Sequence, residues 1–287
     1  MLEVLRWTTS RFDARALATP RLDAEILIAA ALGLPRVQLY VQYDRPLAAA
    51  ELAAIRENVR RRQGGESVAY VVGHKEFFGL DFAVDGRVLV PRPDTETLVD
   101  EALARIREQA PPQPDTGPPP SRRIADIGTG SGAIAVTLAK QLPSATVFAV
   151  DCASDALDVA RANATRHNVS VTFLEGDLVE PLGPHAPLDL IAANLPYVPT
   201  AEIPGLAPEV TREPLGALDG GPDGLDLVRR LVVAAPPLLA SGGALVLEIG
   251  AGQAERTVAL CESAGFVDVR LRRDLGAVDR VVSAVKP

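Results

Sequence analysis

The last two thirds of the chain alternate short apolar segments with stretches of helical periodicity. Parallel strands need crossover connections, so this alternation predicts an α/β fold with a doubly wound, mostly parallel sheet. A short polar linker with Asp274 and Gly276 joins the last two strands, which predicts that they pair antiparallel at one edge. We expect seven strands, one of them reversed, with helices between the first five; the strands lie near 123–127, 146–150, 171–174, 187–193, 243–249, 267–272 and 279–284.

The first quarter of the chain is organised differently. Between Thr8 and Arg62 apolar residues recur at helical intervals, which predicts a small helical bundle. Gln63-Gly64-Gly65 marks its end, and the segment Val68 to Val90 carries short β-branched and aromatic runs typical of a hairpin. We therefore expect three parts, a helical bundle at 1–74, a hairpin connector at 75–92 and a sheet domain at 93–287.

Two further features lie at the start of the third part. A helix is predicted to begin near Pro93-Asp94, because the apolar residues that follow fall on one helical face. The tract Pro111–Pro120 contains six prolines in ten residues. Such a tract predicts an extended surface spacer, and we assign it no function.

Charge and cysteine content exclude several classes of protein. The chain has 29 Lys and Arg against 37 Asp and Glu, a net charge of −8, so it lacks the broad basic footprint of a duplex nucleic-acid binder. Cys152 and Cys261 cannot form a disulfide framework, and we interpret both as small buried residues. The three histidines are scattered, which predicts no metal site. No signal sequence opens the chain, so we expect a cytoplasmic protein with no membrane partner.

The segment from Ile124 to Ala133 leads from a predicted strand into a predicted helix through Gly128, Gly130 and Gly132. Glycines at such a junction let the backbone approach a ligand at a helix N-terminus. Gly128, Gly130 and Ala133 also satisfy the dinucleotide fingerprint G-x-G-x-x-G/A, so NAD and S-adenosylmethionine both remain possible ligands at this point.

Two acidic segments follow the next strands. Asp151 ends the second strand of the sheet, where its carboxylate could accept both hydroxyls of a ribose. After the third strand comes Glu175-Gly176-Asp177-Leu178, in which Asp177 could accept the adenine amino group while Leu178 packs on the ring. A plain polar turn is an equally good interpretation of this second segment.

The fourth strand ends in Asn194-Leu195-Pro196-Tyr197. This turn resembles the (N/D/S)PP(Y/F) motif of methyltransferases that act on amide or exocyclic amino nitrogens. Such a nitrogen is planar with a delocalised lone pair, and it must be aimed at an electrophilic methyl group. The Asn194 side-chain oxygen and the Leu195 carbonyl can each accept one N–H, while Tyr197 packs against the planar group. The turn therefore favours methyl transfer over hydride transfer.

Longer stretches narrow the resemblance. The chain resembles class I S-adenosylmethionine-dependent methyltransferases, and within them the PrmC/HemK family of peptide chain release factor glutamine methyltransferases. The resemblance covers nearly the whole chain, and it is carried by Arg21-Leu22-Asp23-Ala24-Glu25, by Gly73 to Leu80, by Val90-Pro91-Arg92-Pro93-Asp94-Thr95-Glu96, by Glu213 to Gly221 and by Leu247-Glu248-Ile249-Gly250 with Gln253.

The resemblance implies an activity and a set of site residues. The activity is methylation of the side-chain amide of the glutamine in the Gly-Gly-Gln loop of class I release factors, which supports translation termination. The resemblance implies cofactor contacts at Asp126, Ile127, Gly128, Thr129, Gly130, Asp151, Leu178 and Asn194, and the interpretation of the segment after the third strand adds Asp177. The implied substrate turn consists of Asn194, Leu195, Pro196 and Tyr197. Its implied catalytic residues are Asn194, Pro196 and Tyr197.

Two positions depart from the family pattern. Leu195 replaces the usual proline of the turn; a backbone carbonyl is all that the turn requires there, so we expect activity to survive with a less rigidly held carbonyl. Leu178 stands where some relatives have an aromatic residue, so stacking on adenine is not expected.

The main alternative is an adenine amino methyltransferase that acts on ribosomal RNA or DNA. The ribosomal RNA adenine dimethyltransferases also use an Asn-Leu-Pro-Tyr turn, but they carry their helical domain after the sheet domain and are usually basic. Here the helices come first and the net charge is −8. We therefore expect a release factor and no stable nucleic-acid partner, and we hypothesise that the bundle, with Arg60, Arg61 and Arg62 at its end, helps to hold the factor.

Overall fold

The computed structural model describes residues 1–109 and 121–287, so the predicted proline-rich spacer lies outside the described residues. The described chain divides into two compact units. The first contains Met1–His74 together with the later segment Ala207–Arg212. The second contains Lys75–Leu206 and Glu213–Pro287.

The first unit is a bundle of helices around one apolar core. Its helices are α1 (Leu2–Asp13), α2 (Pro20–Leu32), α3 (Gln38–Val41), α4 (Ala49–Gln63) and α5 (Val68–Val72). Leu5, Phe12, Leu27, Ile28 and Ile55 are buried between them. Burial of these side chains is the main source of stability for helices of this length, which are marginal in isolation.

Helix α5 corrects the sequence prediction, which treated Val68–Val72 as part of a run of β-type segments. Ser67 accepts a hydrogen bond from the backbone N–H of Tyr70 at the start of this helix, and Gly73 ends it in the left-handed conformation. Ala69, Tyr70 and Val71 are buried. Capping and burial therefore override the β propensity of the valines.

Charged residues in the bundle mostly pair with one another. Arg62 is 4% exposed and donates to Asp23 at 2.8 Å, with Glu209 of the segment 207–212 at 3.4 Å. Arg61 pairs with Glu66 at 2.6 Å. Arg62 is therefore buried away from any substrate, whereas for Arg60 and Arg61 the hypothesis that the arginine run holds a substrate stays a prediction.

The second unit opens with a hairpin and contains a seven-stranded sheet. The hairpin strands are β1 (His74–Phe77) and β2 (Leu80–Ala83), and the sheet strands are β3 (Arg123–Ile127), β4 (Thr146–Asp151), β5 (Thr172–Glu175), β6 (Leu188–Ala193), β7 (Leu239–Glu248), β8 (Val267–Arg273) and β9 (Asp279–Val285). The order across the sheet is β5-β4-β3-β6-β7-β9-β8. All pairs are parallel except those that β9 makes with β7 and β8. The predicted fold class, with its one reversed strand, is confirmed.

Helices cover this sheet, but not in every predicted place. They are α6 (Glu96–Glu108), α7 (Ala133–Gln141), α8 (Ser154–Arg166), α9 (Asp226–Ala234) and α10 (Ala254–Ser263). The predicted helix between β5 and β6 is wrong, because a 3-10 helix at Glu180–His185 occupies that connection. Pro181, Pro184 and Pro187 lie in or beside it and lack the N–H that an α-helix needs.

The prediction for the cysteines is half correct. Cys261 is buried, whereas Cys152 is exposed. Across residues 1–109 and 121–287, none of the helices is both long and apolar enough to cross a bilayer.

Candidate active site

A cavity lies where the strand order reverses. The chain runs outward from β3 through β4 to β5 and then returns to β6 on the other side of β3. In open α/β sheets ligands bind outside the carboxyl ends of the strands at such a point. The cavity is lined by the loops that follow β3, β4, β5 and β6, together with Arg87 to Leu89 of the connector and with Pro214, Gly216 and Ala217.

The glycine loop after β3 has the conformation that only glycine adopts easily. Gly128, Gly130 and Gly132 all have positive φ angles, and α7 begins directly afterwards. A Cβ at Gly128 would lie 3.2 Å from Leu195 Cδ2, and one at Gly132 would lie 3.1 Å from Ala160. A Cβ at Gly130 would meet nothing within 4 Å, and Gly130 lines the cavity. Two of the glycines thus serve packing, and the third faces open space.

Asp126 supports this loop from inside the protein. It is completely buried, and its Oδ2 accepts from Thr129 Oγ1 at 2.7 Å and from the N–H of Ala135 at 3.1 Å. Burial raises the pKa of its carboxyl to about 7, although these hydrogen bonds act in the opposite direction. Ile127, which follows it, lines the cavity, whereas Asp126 and Thr129 are not among the lining residues. The structure therefore brings all three to the loop but places two of them behind its surface.

Asp151 ties the glycine loop to the next strand. Its Oδ2 accepts from the N–H of Gly130 at 2.8 Å, and its Oδ1 accepts from the N–H of Ala153 at 3.0 Å. The residue lies at the end of β4 and lines the cavity. The two backbone donors hold its carboxylate in one orientation beside the loop.

Asp177 and Leu178 also line the cavity, on the turn after β5. Leu178 has a positive φ of 50°, which is unusual for a residue with a branched side chain. The Asp177 carboxylate pairs with Arg230 at 2.5 Å. Leu178 thus offers an aliphatic surface to the cavity, while the acid beside it has a charged partner.

The Asn-Leu-Pro-Tyr turn follows β6 on the other side of the cavity. Asn194, Leu195 and Pro196 line it, and the Leu195 side chain is only 4% exposed. Tyr197 is half-buried; burial and the nearby Glu248 carboxyl raise the pKa of its hydroxyl. The structure therefore brings the predicted substrate turn and the predicted cofactor loop to one cavity.

Residues far along the chain support this turn from behind. Gln253 is 4% exposed; its Nε2 donates to the carbonyl of Tyr197 at 2.9 Å and its Oε1 accepts from the N–H of Gly250 at 2.8 Å. A Cβ on Gly224 would overlap the Tyr197 carbonyl oxygen, and one on Gly220 would lie 2.6 Å from that of Pro196. The supporting role of these residues was not predicted, although Gln253 and Gly220 stand in or beside stretches that carry the family resemblance.

Asn194 makes a further contact on its buried side. Its Nδ2 donates to Oγ1 of Thr95 at 3.1 Å, and Thr95 is 4% exposed. Glu248 lies beside both and is 1% exposed. Thr95 and Glu248 stand in stretches that carry the family resemblance, but their roles were not predicted. An acidic residue in an otherwise apolar strand end is the signal that could have identified Glu248.

Two motifs of the resemblance meet near the cavity. Arg92 donates to Glu213 at 2.6 Å, and the N–H of Val90 donates to the same carboxylate at 3.4 Å. Glu213 is buried and directly precedes the residues that edge the cavity. In residues 1–109 and 121–287 no group of three or more His, Cys, Asp or Glu side chains has the arrangement of a metal site.

Comparison with known proteins agrees with this geometry. The family model of the PrmC N-terminal domain matches residues 3–73, and a methyltransferase domain model matches residues 124–213. The chain is 47% identical over 281 residues to the release factor glutamine methyltransferase of Geobacter sulfurreducens, covering 98% of this chain and 94% of that protein. It is 42% identical over 291 residues to the protein of the same name from Chlorobaculum tepidum, covering 99% and 97%.

A solved structure supports the fold independently. A methyltransferase from Pyrococcus furiosus superimposes with a TM-score of 0.51 at 17% identity, covering 80% of this chain and 97% of that one. At this identity the likeness concerns the fold alone. The near full-length similarity to the curated proteins is the stronger finding, and by it this chain belongs to the release factor glutamine methyltransferase family.

Proposed function

We propose that this enzyme transfers the methyl group of S-adenosyl-L-methionine to the side-chain amide nitrogen of the glutamine in the Gly-Gly-Gln loop of class I release factors, leaving S-adenosyl-L-homocysteine. Membership of the release factor glutamine methyltransferase family supports a release factor as the substrate. The observation that carries the proposal is that the Asn194 turn and the glycine loop line one cavity. A cofactor on the loop and an amide at the turn would therefore meet.

The residues of the cavity fit S-adenosylmethionine. Gly130 leaves open space where a side chain would stand, and the fixed Asp151 carboxylate retains acceptor capacity for ribose hydroxyls. Leu178 offers an aliphatic contact for the adenine. When bound, the cofactor supplies a methyl group on a positively charged sulfur. Of the predicted cofactor contacts, we assign Ile127, Gly128, Gly130, Asp151, Asp177, Leu178 and Asn194 to the cavity surface, and Asp126 and Thr129 to the support of the loop.

The turn is suited to hold a primary amide. Asn194 Oδ1 and the Leu195 carbonyl are acceptors for its two N–H groups, and Pro196 and Tyr197 give the planar group a surface to pack on. Acceptors at both hydrogens localise electron density on the nitrogen, which otherwise has little nucleophilicity, and hold it in one orientation. Leu195 lacks the ring of proline, but its side chain is buried against the glycine loop.

The first unit is proposed to recognise the release factor. Trp7, Tyr40 and Tyr43 are about half exposed on the bundle, and exposed aromatic residues are common at protein interfaces. With a protein substrate of this kind we also propose a cytoplasmic enzyme without a stable nucleic-acid or membrane partner. The part assignment (a 1–74 recognition bundle, a 75–92 connector and a 93–287 methyltransferase domain) belongs to this proposal.

A transfer assay tests the proposed function. Radiolabelled S-adenosylmethionine is offered with purified class I release factor, with its Gln-to-Ala loop variant and with ribosomal RNA, in parallel. We expect label on the intact factor and none on the variant. Label on RNA alone would overturn the proposal in favour of the adenine methyltransferase alternative.

A further inference from the structure

The hydroxyl of Thr95 has an unusual use. Thr95 is the last residue of a 3-10 helix at Pro93–Thr95 that leads directly into α6, and its own backbone is helical. Here it makes no capping hydrogen bond. Its Oγ1 accepts instead from Nδ2 of Asn194, 99 positions along the chain. The hydroxyl thus contacts the substrate turn.

The buried Glu248 carboxyl lies beside that hydroxyl. Burial raises the pKa of the Glu248 carboxyl to about 7, while hydrogen bonds with the side chains of Thr95 and Asn194 act to lower it. A hydrogen bond lowers a carboxyl pKa when the neighbour donates to the charged form. When Glu248 is charged, the Thr95 hydrogen is directed at its carboxylate, and the Thr95 oxygen is the acceptor for Asn194.

With Glu248 charged, this arrangement favours one orientation of the Asn194 amide. An asparagine side chain has donors on its nitrogen and only acceptor positions on its oxygen. With Nδ2 inward, it donates to the acceptors at Thr95 and Glu248. With Oδ1 inward, acceptors would face one another in a buried place, which is costly. Oδ1 is therefore the end of Asn194 that is left for a ligand in the cavity.

We propose that Thr95, held by Glu248, is a positioning residue that keeps Oδ1 of Asn194 turned toward the amide nitrogen of the substrate. This inference rests on the proposed function, because the group received by Oδ1 is an N–H of that amide. If the Asn194 amide were flipped, its N–H would face the N–H of the substrate, and no hydrogen bond could form. Removal of the Thr95 hydroxyl should therefore lower turnover. The proposed cofactor contacts at Gly130 and Asp151, which are hydrogen-bonded to each other, do not involve Thr95 or Glu248.

The hydroxyl can be removed with little change of shape. In the full-length enzyme with release factor as substrate, we expect Thr95→Val to lower kcat about 10- to 100-fold. This decrease should not exceed the decrease in kcat caused by removing a direct contact to the reacting group. The Kd for S-adenosylmethionine, measured by calorimetry, and Tm stay close to those of the wild type. The matched control Thr95→Ser keeps the hydroxyl and restores most of the rate. An unchanged kcat in Thr95→Val would overturn the inference.

A double-mutant cycle separates positioning from a general structural role. If Thr95 acts through Asn194, Thr95→Val causes no further loss of kcat in an Asn194→Ala background. Losses that multiply would overturn the inference. Should Thr95→Val lower Tm, Glu248→Leu against Glu248→Gln makes the same comparison, since only glutamine retains an acceptor for the Thr95 hydroxyl.

The same series distinguishes this inference from the proposed function. If the wild-type enzyme places no label on the release factor, the proposed function fails and the inference fails with it. If the wild type labels the factor while Thr95→Val keeps the full rate, the inference alone fails.

Discussion

The glycine loop and the Asn-Leu-Pro-Tyr turn line the same cavity but are held in different ways. The loop is supported by residues relatively near to it in the sequence, such as Asp151, which is 21 positions from Gly130. The turn is supported by Gln253, 56 positions from Tyr197, and by Thr95, 99 positions from Asn194. A local motif can be recognised from a short stretch of sequence, whereas a site assembled from distant segments depends on the whole sheet.

The largest expected effect comes from the turn itself. Asn194→Ala removes the proposed acceptor for the substrate amide, so we expect kcat to fall about 10²- to 10³-fold, as when one aligned polar contact to a reacting group is lost. The Kd for S-adenosylmethionine should change little, because the glycine loop remains intact. Steady-state kinetics and calorimetry on the same preparation check this. Equal losses of turnover and cofactor affinity would assign Asn194 to the cofactor and would break the distinction between the two regions.

Two glycines with similar backbones provide a smaller, matched test. Gly224 and Gly130 both have positive φ angles, but a Cβ at Gly224 overlaps the Tyr197 carbonyl and one at Gly130 meets open space. We expect Gly130→Ala to cost about 1 kcal/mol of stability from its backbone conformation alone. Gly224→Ala should cost about 3 kcal/mol, since it adds a clash with backbone.

The readouts of this pair also differ. Urea unfolding gives the free energies, and Gly224→Ala should lower kcat, whereas Gly130→Ala should raise the Kd for S-adenosylmethionine. Equal costs for the two substitutions would show that the turn is not braced by the segment behind it.

The smallest effect is a change in the pH dependence of stability. The pKa of Glu248 lies at about 7, above the value near 4.5 of an ordinary glutamate. Between these two values the folded protein retains a proton that the unfolded chain has released. The stability from that proton is complete below about pH 4.5 and is lost as the pH rises through about 7. The Arg280 guanidinium lowers this pKa and the Asp94 carboxylate raises it.

Glu248→Gln has no such titration. We expect the slope of unfolding free energy against pH between 5 and 7 to become less negative by about 1 kcal/mol per pH unit. Asp126→Asn is the matched variant in the cofactor region, because burial raises the pKa of Asp126 to about 7 as well. Unfolding at several pH values measures both, and an unaltered slope in Glu248→Gln would contradict an uncharged Glu248 at low pH.

The sequence predicted what depends on local pattern. The strand positions follow from periodicity, the reversed β9 from the short linker before it, and the junction of β3 with the glycine loop from glycine spacing. Helix α5 could not be predicted in this way, because tertiary burial overrides the preference of its valines. Nor could the pairing of Arg62 with Asp23 and Glu209, since only the folded bundle brings these groups together.

The candidate site divides in the same manner. The residues on the cavity surface belong to short sequence motifs, so each of them can be predicted from a few neighbouring positions. The roles of Thr95, Glu248 and Gln253 depend on hydrogen bonds across the second unit, and their residue types alone are common in loops and helix ends. The motif shows which chemistry is present, and the fold shows which atom faces the substrate.

The segment Ala207–Arg212 has a consequence for the way the protein is made. It belongs to the first unit, where Glu209 pairs with Arg62, yet it is encoded far downstream of residues 1–74. On the ribosome, the amino-terminal part of a chain emerges first and usually folds first. Here the apolar core residues of the bundle all precede residue 74, but Glu209, a charged partner of Arg62, appears only after six strands, β1 to β6, have been synthesised. A chain that ends at residue 74 therefore keeps the apolar core of the bundle and the Arg62–Asp23 pair but lacks Glu209, so this charged partner of the bundle is supplied late in synthesis.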